Sequence, residues 1–209
     1  MSGVVLTSTY LGNIQFYSKL VHFSEIWIEQ HCHYTKQTYR NRCKIATANG
    51  VMALSIPTIK PATEKCKTKD IRIDNSQHWQ QIHWRALEAG YNSSPFFEYY
   101  KDDFAPFYTN KFEFLVDYTF QLQSLVIALL ELDCKVQLTE AYTTYDDALD
   151  YRDALSAKKE IEDNDFVISS YYQVFENKFG FIPNLSILDL LFNMGNESIL
   201  VLQKSASKH

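Results

Sequence analysis

Apolar residues run together or alternate through the first 57 positions, then recur at helical spacing after residue 75. Residues 4–7 are a short apolar run of strand type, followed by a turn at Tyr10-Leu11-Gly12-Asn13. Ile14, Tyr17, Leu20 and Val21 then mark one face of a helix, and Glu25 to Glu29 alternates as a strand. This order predicts a strand–loop–helix–strand unit with two parallel neighbours. Residues 37–45 read as another strand. Asn49-Gly50 is a two-residue turn signal, so 51–57 returns as the second arm of a hairpin. Residues 59–69 form a polar, lysine-rich loop, and 70–73 a short strand.

From residue 75 the pattern is helical. Ser76 is placed to cap a helix whose stripe is Trp79, Ile82, Ala86 and Ala89, ending at Gly90. Ser94-Pro95 opens a second helix. A long third helix at 111–132 has Leu115, Leu122, Val126 and Leu129 on its buried side. Residues 138–142 read as a last strand and 143–165 as an acidic linker. The region 166–203 is helical, with Asn184 capping 185–193 and Gly195 ending that helix. The expected fold is α/β: a mixed sheet with an N-terminal strand–loop–helix–strand unit, packed helices and a helical C-terminal segment. One domain spans 1–209, divided into an α/β core (1–142), the acidic linker (143–165) and the helical segment (166–209).

Length and composition suit a folded domain, since 209 residues with 15% aromatics can bury a core without staples. A net charge of −5 argues against general nucleic-acid binding. The charge is uneven: residues 36–72 hold nine bases and two acids, whereas 131–165 hold 11 acids and four bases. Cysteines at 32, 43, 66 and 134 form no CxxC pair. The first residues lack the charged and apolar regions of a signal peptide. Residues 115–132 are interrupted by Asp117, Gln121, Gln123 and Glu131, so no membrane insertion is expected. Reduced thiols and a cytoplasmic location follow as expectations.

The densest chemistry is KQTYRNRCK at 36–44, with four basic side chains and no acid. As a strand it puts Arg40, Arg42 and Lys44 on one face, and Tyr39, Asn41, Cys43 and Ile45 on the other. Such cations can clamp a phosphate or carboxylate. They can also form a solvated face, or pair with internal acids such as Asp70, Asp74 or Asp189. His83, one turn after Trp79 on the edge of the apolar stripe, is either a general base or a structural histidine. His31-Cys32-His33 offers too few ligands for a closed metal site, so no metal is expected. The eight aromatics between 91 and 108 can stack on a ligand or fill a core. There is no GxGxxG, Walker A, GxSxG or HExxH pattern, so an anion would be held by side chains or a helix N-terminus.

The ordered set Tyr10-Leu11-Gly12, Lys36-Gln37-Thr38-Tyr39-Arg40-Asn41-Arg42 and Leu54-Ser55-Ile56-Pro57 resembles the WbqC-like family of bacterial proteins. Trp79 with His83, Tyr91 with Ser94-Pro95-Phe96-Phe97, and the segment LSILDLLFN at 185–193 continue the resemblance. What it implies is a transferase of O-antigen and other surface-polysaccharide synthesis, with glycine or another acyl group passed to a sugar. Substrate contacts then fall on Lys36, Arg40, Asn41 and Arg42, with Tyr10 and Asn13 lining the first loop, and His83 as the base. The implied partner is an anionic small molecule, a nucleotide-sugar or activated acyl donor. The alternative is a non-catalytic partner of a glycan-assembly enzyme. No cofactor is implied. Cys32 departs from the family pattern, which carries an acid there.

Overall fold

The computed structural model describes residues 3–61, 63, 65–145, 148–152 and 163–206. Strands β1 (Gly3–Thr7) and β2 (Glu25–Glu29) flank helix α1 (Ile14–His22) and pair in parallel, Gly3 opposite Glu25 through Thr7 opposite Glu29. The predicted unit is therefore present. All of β1 is buried, as a continuous apolar run between two parallel neighbours requires. Two later strands complete a parallel sheet in the order β5-β2-β1-β6, with β5 at Lys135–Leu138 and β6 at Ala148–Asp150. Strands β3 (Arg42–Thr47) and β4 (Gly50–Ser55) form the antiparallel hairpin that Asn49-Gly50 announces. Gly50 there has φ of 100°, a conformation that favours glycine.

Tertiary contacts move several boundaries. Residues 70–73 make only isolated bridges, Arg72 to Phe114 and Ile73 to Thr58. The last core strand ends at Leu138 rather than beginning there. Residues 143–165 are more than a connection, because they contribute β6 to the sheet; the residues 146, 147 and 153–162 of that stretch lie outside those described. Ser76 bonds Asp74 instead of capping, and α2 (Trp79–Tyr91) starts three residues later. Its buried face is Trp79, His83, Leu87, Gly90 and Tyr91, so Ile82 is 63% exposed and the expected stripe is out of phase. The reason lies at the far end of the helix. A Cβ on Gly90 would sit 2.8 Å from the Ala46 carbonyl oxygen, and this close approach turns the face carrying Gly90 toward β3.

Helices α3 (Phe97–Thr109) and α4 (Leu115–Leu129) follow, then the short α5 (Glu176–Phe179), α6 (Ile187–Met194) and α7 (Ser198–Ser205). Seven of the eight α6 residues are buried, the pattern of a helix surrounded on all sides. Ser186, not Asn184, caps it, and Gly195 ends it as expected. Phe192 meets the rings of Tyr91, Phe97 and Phe104 edge-on. The C-terminal segment is thus the hub of the core, and most of the aromatic block at 91–108 packs onto it.

One acid anchors that hub. Asp189, fully buried on α6, accepts hydrogen bonds from the Tyr91 hydroxyl (2.9 Å), the Tyr171 hydroxyl (2.7 Å) and Gln173 Nε2 (2.8 Å). Tyr91 in turn receives the Ala46 N–H at 3.2 Å, so β3, α2, α6 and residues 171–173 meet at one carboxylate. Burial pushes its pKa up, and its three donors oppose that rise. Asp189→Ala strands two hydroxyls and an amide in the core. It should lower unfolding free energy by about 3 kcal/mol or more, read as a lower urea midpoint at unchanged slope.

Candidate functional site

The loop after β1 leads into the candidate site. Leu11 has φ of 47°, a strained value for a branched side chain, and Gly12 and Asn13 follow it into α1. The first amides of α1 are already taken. Ile14 N–H donates to the Leu185 carbonyl, Gln15 N–H to Asn184 Oδ1 and Phe16 N–H to Asn13 Oδ1. Asn13 is therefore the helix cap, and this N-terminus offers no free amides to a phosphate. Asn184, read as the cap of the C-terminal helix, caps α1 instead.

The same loop holds the basic run. The Tyr10 N–H donates to the Tyr39 carbonyl at 2.8 Å. To present that carbonyl, residues 36–41 fold as turns, with Gln37 at φ of 59°, and the strand begins only at Arg42. Arg40 consequently leaves the strand face expected to unite it with Arg42 and Lys44. Cys43 and Ile45 are buried as alternation requires, Lys44 is exposed, and Lys36 sits exposed on the turn. Asn41 closes the hairpin: its Nδ2 donates to the Ile56 carbonyl at 3.0 Å, and its carbonyl accepts the Ile56 N–H at 2.8 Å. Arg42 Nε donates to Ser55 Oγ at 2.9 Å.

Arg40 points back to the carboxyl end of β2. Its Nη2 donates to Cys32 Sγ at 3.4 Å, and its Nε is buried with no partner among the described residues. Neither Arg40 nor Arg42 forms an ion pair among the described residues. The internal acids considered for them do not meet them: Asp189 binds Tyr91, Tyr171 and Gln173, Asp74 binds Ser76, and Asp70 joins no ion pair among the described residues. Of the cations between 36 and 72, Arg72 alone pairs among the described residues, with Glu113. The sheet's own buried pair lies nearby and escaped the sequence reading. Glu29, at the end of β2, accepts the His31 and Cys32 amides and pairs with Arg152 at 3.3 Å. The end of a parallel strand is a position where functional side chains gather, but nothing in the sequence around Arg152 signals this pairing. His31 turns its Nε2 to the Thr139 carbonyl, while His33 is exposed; among the described residues no three His, Cys, Asp or Glu side chains gather as metal ligands.

His83 is only 3% exposed, deep in the face of α2. Its Nδ1 lies 2.9 Å from the Tyr10 hydroxyl, which is 3.1 Å from that of Tyr108. Burial pushes its pKa down to about 4, with a hydrogen bond to the Ser55 main chain acting the other way. The ring is therefore neutral near pH 7. It lies at one wall of a cleft of about 460 Å³ between β4 and the start of α2, lined also by Ser55, Pro57, Asp74, Trp79 and Ile82. Ser55 is the joint: its hydroxyl takes Arg42, and its main chain meets His83. The structure thus gathers Tyr10, Asn41, Arg42 and His83 around 55–56, sets Arg40 beside Cys32, and leaves Lys36 and Asn13 outside the cluster. Sequence reasoning missed Ser55 and Tyr108, although Ser55 lies within one of the segments carrying the family resemblance.

His83 titrates at about 4 in the folded chain against 6.5 unperturbed, so its stabilising contribution is complete above pH 6.5 and lost as pH falls toward 4. The shift corresponds to about 3 kcal/mol. His83→Gln keeps hydrogen-bonding groups toward Tyr10 and Ser55. Its unfolding free energy should fall less steeply than that of the parent between those pH values, measured by urea titration.

The model of the WbqC-like protein family matches residues 8–169, which include the first loop, the basic run, the hairpin and His83. The uncharacterized protein Rv1507c of Mycobacterium tuberculosis is 25% identical over 218 aligned positions, covering 93% of this chain and 94% of that protein. No solved structure matches. Most of the chain, including every residue of the cluster, falls inside the family match, and the chain belongs to the WbqC-like protein family.

Proposed function

We propose that this protein is a transferase of surface-polysaccharide synthesis. It binds an anionic activated donor, a nucleotide-sugar or activated acyl group, and passes a group such as glycine to a sugar acceptor. The observation that carries this reading is the pair of uncompensated arginines. Arg40 is half-buried with an orphan Nε, Arg42 uses only its Nε on Ser55, and neither meets a carboxylate among the described residues. A guanidinium held partly out of water without a counter-charge is costly, and an anionic ligand offsets that cost. The family resemblance supports the reaction class and the glycan context.

His83 is the base in this reading: in the tautomer that donates from Nδ1 to the Tyr10 hydroxyl, Nε2 takes the proton of an attacking hydroxyl or amine, and the Ser55 main chain then holds the protonated ring. Its depressed pKa makes it a weak base in the free protein. An anion drawn in by Arg42, on the other side of Ser55, acts in the direction that raises it. The hydroxyls of Tyr10 and Tyr108 hold the ring in one orientation from behind. The resemblance implies an acid near position 32, whereas in this chain the Arg40 guanidinium faces the Cys32 thiol rather than a fixed carboxylate.

A thermal-shift panel of nucleotides, nucleotide-sugars and acyl carriers tests the reading. A true donor present at 100 times its Kd should add about 2.7 kcal/mol of stability. Arg40→Ala and Arg42→Ala should remain folded and lose most of that gain, and Cys32→Asp should reduce it by giving Arg40 an internal carboxylate. Full ligand stabilisation in the folded arginine variants, or none from any anion in the parent, would overturn the proposal.

A further inference from the structure

The cleft beside His83 differs in charge from the arginine segment next to it. Among the described residues one carboxylate, that of Asp74, lines it, and no lysine or arginine does. Arg42 reaches the cleft only through Ser55, whose hydroxyl it binds at 2.9 Å. His83 adds no charge near pH 7, because burial holds its pKa down to about 4. Asp74 is ionised there. The Ser76 N–H and hydroxyl both donate to its Oδ1, and these bonds hold its carboxyl below the usual carboxylate range. Its Oδ2 accepts no hydrogen bond among the described residues.

The rest of the lining narrows the occupant further. Met52, Pro57 and Ile82 give an apolar wall. Trp79 is 4% exposed, and its Nε1–H, the one donor of that ring, meets no acceptor among the described residues. A ligand suited to this lining has an apolar face, an acceptor oxygen for Trp79 and a positive charge for Asp74. An anion suits it least, since it would meet Asp74 with no cation in the wall. A sugar ring brings a C–H face and acceptor oxygens, and an amino group on it brings the charge.

We propose that the acceptor bound in this cleft is an amino sugar, and that its amine rather than a hydroxyl is the nucleophile. This rests on the acyl-transfer reading of the site and decides between the two nucleophiles named there. Asp74 draws in the ammonium form, which sheds one proton to water. The free amine nitrogen attacks the carbonyl carbon of the activated acyl donor. A C–N bond forms, the bond from that carbon to the activating group breaks, and the electron pair leaves with the activating group. The excess proton on nitrogen passes to His83 Nε2 and then to the departing group, so the product is an amide. Substrates of opposite charge are thus drawn to opposite sides of Ser55, the donor toward Arg42 and the amine toward Asp74.

Calorimetric titration of the full chain with methyl glucosaminide, methyl glucoside and ethanolamine tests this without any donor. At about pH 7 the glucosaminide should bind about fivefold tighter than the glucoside, the scale of a partly exposed charge pair, and tighter than ethanolamine. Asp74→Asn keeps the oxygen that Ser76 uses, and should bind the two glycosides equally. Ile82→Lys puts a cation on a wall position that is 63% exposed, and should favour the glucoside; it carries the test if the Asp74 variant fails to fold. Equal affinities for the two glycosides in the parent, selectivity that survives the folded variants, or ethanolamine binding as tightly as the glucosaminide would each overturn the inference. So would no binding at about 10 mM glucosaminide, ten times a Kd of about 1 mM. Neither Arg40 nor Arg42 lines the cleft, so folded Arg42→Ala should keep the amine selectivity while losing donor stabilisation. Amine selectivity in a parent that no anionic donor stabilises would count against the donor reading alone.

Discussion

Four parts of this protein meet at the Asp189 carboxylate. The Ala46 amide of β3 reaches it through the Tyr91 hydroxyl of α2, and Tyr171 and Gln173 bind it directly from the segment preceding α5. A buried acid with three donors is directional in a way that apolar contact is not. It fixes the angle at which α2 crosses the hairpin, and Gly90 permits the approach that this angle demands. The apolar hub of α6 supplies most of the burial; the carboxylate selects which arrangement that burial takes.

The position of the candidate site follows from this constraint. With α2 held at Tyr91 and Gly90, its buried face carries His83 to the end of β4, where Ser55 joins it to Arg42. At the other end, the first loop bonds the turn containing Tyr39 and thereby sets Arg40 beside Cys32. The two arginines are near in sequence but do different things. Arg42 extends from a regular strand, whereas Arg40 is aimed by a turn with a left-handed residue. Their shared property is electrostatic: neither has a protein carboxylate among the described residues, and both lie in the least neutralised segment of an acidic chain.

Local patterns announced much of this. The parallel β1–α1–β2 unit, the hairpin at Asn49-Gly50, the Gly195 stop and the burial of Cys43 and Ile45 all come from contacts between residues close in sequence, where periodicity and turn chemistry are decisive. The same reasoning misplaced the phase of α2, because Ile82 is a better apolar residue than His83, yet the buried side is chosen by Gly90, Tyr91 and a distant aspartate. It also carried a strand through Arg40, since nothing in KQTYRNRCK reveals that the Tyr39 carbonyl is needed by Tyr10. Asn184 shows the same effect at a cap: its side chain serves α1, far away in sequence, rather than the helix that follows it.

By itself the sequence determined the α/β class, the order of most of the elements, the family and the cluster of positive charge. These depend on periodicity, turn residues and ordered motifs, all properties of neighbours along the chain. Only the tertiary structure decided that the C-terminal helix is the centre of the core, that His83 is buried and neutral, and that Ser55 connects it to Arg42. Only it showed that Asp189 answers tyrosines and a glutamine rather than the arginines. Those outcomes turn on which buried donors and acceptors find one another across long stretches of sequence, as Tyr91 and Asp189 do at a separation of 98 positions, and no local pattern encodes that pairing.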